Sequence, residues 1–242
     1  MSLLNEALEE LVTANRILAE EGVVDSFGHI SIRHPENPDR YLLSRSRAPE
    51  CIEVNDIMEF TLEGEPVDPQ GRSPYAERAI HGSVYEARPE INSVVHNHSP
   101  NVIPFGVTGT RLKPMLHMAA GMGATVPIWD SRTSFGDTTL LVRTMEMGRD
   151  LAARIGDNRA ALMRGHGCVV LGRSVREAVF TSVYVEVNAK LQFKAAMLGE
   201  ITFLSEGEIN AILERRGSYT FERAWESWCG RAGRPYEPPP GS

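Results

Sequence analysis

The sequence is poor in cysteine. Three residues, Cys51, Cys168 and Cys229, lie far apart and are odd in number. That excludes a disulfide framework and points to a reducing cytoplasm. No apolar run approaches the roughly 18 residues that a membrane span requires. No block of five like charges occurs, and the net charge is −7. The basic footprint of a nucleic-acid or anionic-lipid binder is therefore missing. A Gly-rich dinucleotide loop, an internal repeat and a dividing linker are also missing, which argues against a Rossmann domain or a repeat array.

What remains is ordinary for a globular protein. Hydrophobic residues make up 42% and charged residues 24% of 242 positions. Such a chain buries a sizeable core as one domain, so residues 1–242 read as a single unit ending in a helix and tail over about 217–242.

Apolar residues at helical spacing predict an opening helix over 3–20, acidic rather than a basic signal peptide. "FGHISIR" and "RYLLSR" alternate as strands, and "IMEFTLEGEPV" reads as a hairpin turning at Glu63-Gly64. Ser73 and Pro74 predict the start of a helix from about Tyr75 to Ala87. A strand follows over 91–98, with another near 123–128. The stretch 138–156 reads as helical, with Gly156 as its stop. Two short strands flank "RGHG", and a Ser174/Glu177 capping box opens a long helix. Two further helices follow. The class is α/β, with a mostly antiparallel sheet between helices.

The chemistry starts at "VVHNHSP". Alternate residues of a strand share a face, so His96 and His98 project together. Two imidazoles at one strand end are either bonded to backbone or two legs of a metal site. His166 sits between Gly165 and Gly167, where the backbone can turn tightly. Three imidazoles with open positions would make a catalytic metal site. Glu77 falls in the first turn of its expected helix, where a carboxylate also suits the helix dipole. His81, four residues on, can contact Glu77 along the helix face and reads as a supporting residue.

"SPYAERAIHGSVYEARPEINSVVHNHSP" and "LMRGHGCVVLGRSVREAV" together resemble the class II aldolase/adducin family, and "VVDSFGHISIRHP" extends the likeness over about residues 5–215. The resemblance implies α/β/α layers around a central, mainly antiparallel sheet. It implies one divalent metal per subunit at His96, His98 and His166, either Mn²⁺ or Zn²⁺, with Co²⁺ also suitable. It implies that Glu77 is the catalytic acid/base, and that the protein is a homo-oligomer, a tetramer or a multiple, with active sites at subunit interfaces. The adducin branch lacks the metal histidines, so their presence favours an enzyme over a non-catalytic interaction module.

"FGHISIR" and "SRSRAPE" depart from the small hydrogen-bond donors with which sugar-phosphate aldolases cradle phosphate. His29 stands where asparagine is usual, and Arg45 and Arg47 replace small residues. Arginine's planar fork matches a carboxylate. The pattern is similar to the hydroxy-aromatic acid decarboxylase branch, whose type acts on 3-hydroxy-2-methylpyridine-4,5-dicarboxylate. That likeness implies a small carboxylated substrate bound by His29, Ser31, Arg45 and Arg47. Glu77 would transfer the proton if its site raises its pKa toward neutrality. Metal-dependent aldol cleavage of a hydroxy-carbonyl substrate is the alternative. Asp25 and Tyr219 are lesser candidates. Cys168 is expected as a buried thiol, His117 as a packed histidine, and Trp225 and Trp228 as anchors of the last helix.

Overall fold

The computed structural model describes residues 2–238, so the last four residues of the expected tail lie outside it. Seven short strands carry the alternation seen in the sequence. They are β1 (His29–Arg33), β2 (Arg40–Ser44), β3 (Ile57–Thr61), β4 (Ser93–Asn97), β5 (Ile128–Trp129), β6 (Ala160–Met163) and β7 (Gly167–Gly172). They form one sheet in the order β3-β2-β1-β4-β7-β6-β5. Every pairing is antiparallel except β5 with β6.

The helices are α1 (Leu3–Glu20), α2 (Arg78–Ala87), α3 (Ile103–Val107), α4 (Ser131–Phe135), α5 (Met145–Ile155), α6 (Val175–Ala196), α7 (Glu206–Arg215) and α8 (Ser218–Arg231). Period-2 alternation divides the core. Ile30, Leu42, Val95, Leu162 and Val170 face the layer of α1, α6 and α8. Leu43, Val94, Ala161, Val169 and Leu171 face the layer of α2 and α5. Trp225 and Trp228 of α8 are buried in the first of these cores, so the last helix docks on its own chain. No helix among the described residues is long and apolar enough to cross a membrane.

Three elements depart from the sequence reading. The helix expected from Tyr75 begins at Arg78, with Glu77 at the N-cap and no side-chain capping bond there. Ser73 and Pro74 do not cap it because they are held extended: Pro74 bridges Arg45, and the Ser73 carbonyl accepts the Ser46 amide. Residues 138–144 are not helical. α5 begins only after Thr144, whose hydroxyl accepts the Met147 amide. The strand expected near 123–128 is reduced to Ile128–Trp129.

α2 and α5 lie close because Gly148 has no side chain. A Cβ there would meet the Ala79 carbonyl and the Ser83 hydroxyl, each at 2.6 Å. This contact fixes Glu77, at the start of α2, beside the segment that leads into α5.

Candidate active site

β1 and β4 are neighbours, and their register places His29 directly opposite His96. β7 flanks β4 on its other side, with Asn97 opposite Cys168. The turn between β6 and β7 therefore delivers His166 to the end of β4. His98 lies one residue beyond β4. The rings of His96, His98 and His166 sit 4.9–5.1 Å apart, centre to centre.

Each of the three rings is oriented through Nδ1. His96 Nδ1 bonds the Cys168 carbonyl at 3.2 Å, and His166 Nδ1 bonds the Leu140 carbonyl at 2.9 Å. His98 Nδ1 donates to the Asp25 carboxylate at 3.1 Å. A carbonyl or carboxylate on Nδ1 makes that nitrogen the donor and leaves Nε2 with a lone pair. His96 Nε2 and His98 Nε2 are buried and have no hydrogen-bond partner among the described residues. Ligand atoms of Glu77, His96, His98 and His166 all lie within 4.8 Å of one another. Two orphaned imidazole lone pairs, a third imidazole and a carboxylate fit a divalent cation.

Glu77 is buried. Its Oε1 accepts the Val142 amide at 2.8 Å. Its Oε2 lies 3.5 Å from His166 Nε2 and 3.6 Å from His96 Nε2. Burial raises its pKa, but His166 and His96, when they carry a proton on Nε2, outweigh that and hold the carboxyl well below its usual range. The condition attached to Glu77 from the sequence, a pKa raised toward neutrality, is not met here, because the shift runs downward.

The segment 138–142, read from sequence as helix, supplies two of these contacts by its backbone alone. Leu140 adopts a left-handed conformation, with φ of 67°. A non-glycine residue there costs about 1–3 kcal/mol, a strain common at functional sites.

Behind the cluster lies a buried polar chain. His29 Nδ1 bonds His81 Nε2 at 2.7 Å, His81 Nδ1 bonds Ser31 Oγ at 2.6 Å, and Ser31 Oγ bonds the Tyr85 hydroxyl at 2.7 Å. His81 supports His29 rather than capping or contacting the metal cluster. Burial pushes the His81 pKa down to about 3, with His96 adding to the effect. Stability carried by the neutral His81 is complete above the ordinary value of 6.5 and is lost as pH falls toward 3. In that window the unfolded chain binds a proton that the native ring refuses. Between pH 7 and 5 the metal-free protein should lose about 2 kcal/mol more than His81→Gln. Urea melts at the two pH values measure this, and equal losses in both proteins would refute it.

Arg45 and Arg47 are brought together by Asp56. Arg45 Nε and Arg47 Nη1 each lie 2.5 Å from one oxygen of its carboxylate. Both side chains stay more than one-third exposed. Their link to the histidines is Tyr75: its hydroxyl donates to the Arg47 carbonyl, and its ring packs 4.5 Å from that of His29. Sequence reasoning did not find Asp56, an acidic residue whose partners are set only by the fold. Ser31 is fully buried and bonded on both sides, behind His81 rather than on an open surface. Tyr219 is 61% exposed on α8, and His117 is exposed rather than packed. Cys168 is the buried thiol expected, with its pKa pushed up to about 12 by burial.

The sequence profile of the class II aldolase and adducin N-terminal domain matches residues 9–193. The chain belongs to this family. Decarboxylase tropJ of Talaromyces stipitatus is 35% identical, over 90% of this chain and 90% of its own length. The 3,4-dihydroxyphthalate decarboxylase of Arthrobacter keyseri is 29% identical, over 93% of each chain. An aldolase II superfamily protein from Pseudomonas syringae has the same fold, with a TM-score of 0.80 at 22% identity, covering 97% of this chain and 95% of the other. Class II aldolases work with a divalent metal ion, and the four-residue cluster lies within the matched span.

Proposed function

We propose that this protein is a metal-dependent carbon–carbon lyase that removes carbon dioxide from a hydroxylated aromatic or pyridine dicarboxylate. The observation that carries the reading is the cluster of Glu77, His96, His98 and His166, with every Nδ1 committed and two Nε2 atoms buried without partners. The decarboxylase relatives, similar over nine-tenths of the chain, support loss of a carboxyl group over aldol cleavage.

His96, His98 and His166 would hold the cation, with Zn²⁺ or Mn²⁺ the best match to three imidazoles and an oxygen-rich substrate. The bound metal supplies Lewis-acid stabilisation of negative charge developing on oxygen. Glu77, whose Oε2 lies beside His96 and His166, would accept the proton of the ring hydroxyl next to the carboxylate. It then returns that proton to the ring carbon bearing the carboxylate. The carbon–carboxylate bond breaks and carbon dioxide leaves, its electron pair re-enters the ring and the carbonyl pair moves onto the ring oxygen, and that oxygen takes up one proton from solvent water as the ring becomes aromatic again. The Val142 amide fixes the carboxylate during both transfers. Assembly into an oligomer is part of this reading, supported by Phe193, Met197 and Leu198, which are 63–91% exposed at the end of α6; so is a cytoplasmic location, in line with three widely spaced cysteines.

Arg45 and Arg47 would bind the second carboxylate of the substrate, each keeping free N–H groups beyond its bond to Asp56. Arg47→Ala should raise KM about 10–100-fold, the worth of a charge-assisted bond, with kcat changed far less. Steady-state kinetics decide it, and an unchanged KM would remove Arg47 from the substrate. The reaction itself is tested with metal-loaded protein against a panel of ortho-hydroxy aromatic and pyridine dicarboxylates. Carbon dioxide release is expected. Cleavage of a hydroxy-carbonyl compound with no carbon dioxide from any acid would make it an aldolase.

A further inference from the structure

The chain of hydrogen bonds that ends at His29 has a direction, and the direction decides what His29 offers to a substrate. Three links join four residues: Tyr85 to Ser31, Ser31 to His81 Nδ1, and His81 Nε2 to His29 Nδ1. Each link needs one proton, and each neutral imidazole brings one. Three arrangements satisfy all three, because a hydroxyl oxygen can accept twice; the one in which Tyr85 and His81 Nδ1–H both donate to Ser31 leaves the buried Ser31 proton without an acceptor among the described residues, so two remain. In the first, Tyr85 donates to Ser31, Ser31 to His81, and His81 Nε2–H to His29 Nδ1, so His29 carries its proton on Nε2. In the second every link is reversed, and His29 presents a bare Nε2.

Tyr85 chooses between them. It is buried. In the reversed arrangement its hydroxyl proton must leave Ser31, and the described residues hold no other acceptor for it. Buried hydroxyl groups are rarely left that way. The phenol proton therefore goes to Ser31, its only hydrogen-bond partner among the described residues.

His29 sits where this matters. Its ring is 5.1 Å from that of His96, and its Nε2 has no partner among the described residues. We infer that Tyr85, Ser31 and His81 lock His29 as the Nε2–H tautomer, a neutral hydrogen-bond donor directed at an oxygen of the substrate. Tyr85, Ser31 and His81 are positioning residues, and Ser31 acts through His81 without touching substrate. The donor role rests on the proposed function, whereas the tautomer does not.

The tautomer is therefore measured without substrate. In the zinc-loaded, ¹⁵N-labelled protein, two-bond nitrogen–carbon-proton spectra separate Nδ1–H from Nε2–H rings. Assignment comes from loss of one pattern in His29→Asn. His29 is expected wholly as Nε2–H in the wild type. Tyr85→Phe and Ser31→Ala remove the directing donor and should shift part or all of the His29 signal to the Nδ1–H pattern. A wild-type His29 with its proton on Nδ1, or a mixture of both forms, overturns the inference. So does a tautomer unmoved in both variants. Failure of the panel to release carbon dioxide, with the Nε2–H pattern intact, would count against the proposed function alone.

Discussion

Glu77→Gln should abolish turnover while leaving the metal in place. The substitution keeps the shape and keeps an oxygen for the Val142 amide, which now bonds Oε1 at 2.8 Å. What it removes is the only carboxylate in the cluster and with it the group that accepts and returns a proton. Loss of a general acid–base is worth about 10²–10⁴ in rate. Three imidazoles remain, so metal content after dialysis should match the wild type. Turnover within tenfold of wild type in the metal-loaded variant would assign the proton transfer elsewhere.

The part of this site that was legible in the sequence is the part written in side chains. Period-2 alternation put His96 and His98 on one face, and the glycines around His166 marked its turn. The resemblance then joined these with Glu77. What stayed hidden is what backbone groups supply. The Val142 amide and the Leu140 carbonyl have no residue identity to read, and they come from a segment whose composition looks helical. Leu140 takes a left-handed conformation that no propensity would assign to leucine. The α2 boundary failed for a related reason. Ser73-Pro74 is a good local helix start, but pairing with Arg45 holds it extended, and tertiary structure outweighs propensity. That override frees the Glu77 side chain from capping its own helix.

The same contrast separates the roles of the two arginines and the polar chain. Arg45 and Arg47 share a face by alternation, and they do meet, but at Asp56 rather than at the histidines. Ser31 alternates with His29, and that parity places both toward α2, where His81 and Tyr85 take up the serine hydroxyl. Spacing gave the face of each residue correctly; only packing says which neighbour reaches it first.

Gly167→Ala should dismantle the metal centre without replacing a ligand. β4 and β7 approach so closely at this point that an added Cβ would lie 2.1 Å from the Asn97 carbonyl oxygen and 3.1 Å from His98 Cδ2. Real Cβ contacts do not fall below 3.0 Å, and the obstacle is backbone. The strands must part by about 1 Å, at a site where that displacement alone can cost about 10²-fold in rate. His98 follows Asn97 and His166 precedes Gly167, so the two ligands are carried in opposite directions. Overpacking should cost about 1–3 kcal/mol of stability, and metal affinity should fall by at least about 10–100-fold. Gly165 provides the comparison. It adopts a left-handed φ of 67°, but a Cβ there meets only Leu140 Cδ1, at 3.5 Å. Asparagine tolerates that conformation, so Gly165→Asn should retain the metal. Equal metal affinity in Gly167→Ala and wild type, measured by competition with a chelator, would show that the β4–β7 contact does not set the spacing of His98 and His166.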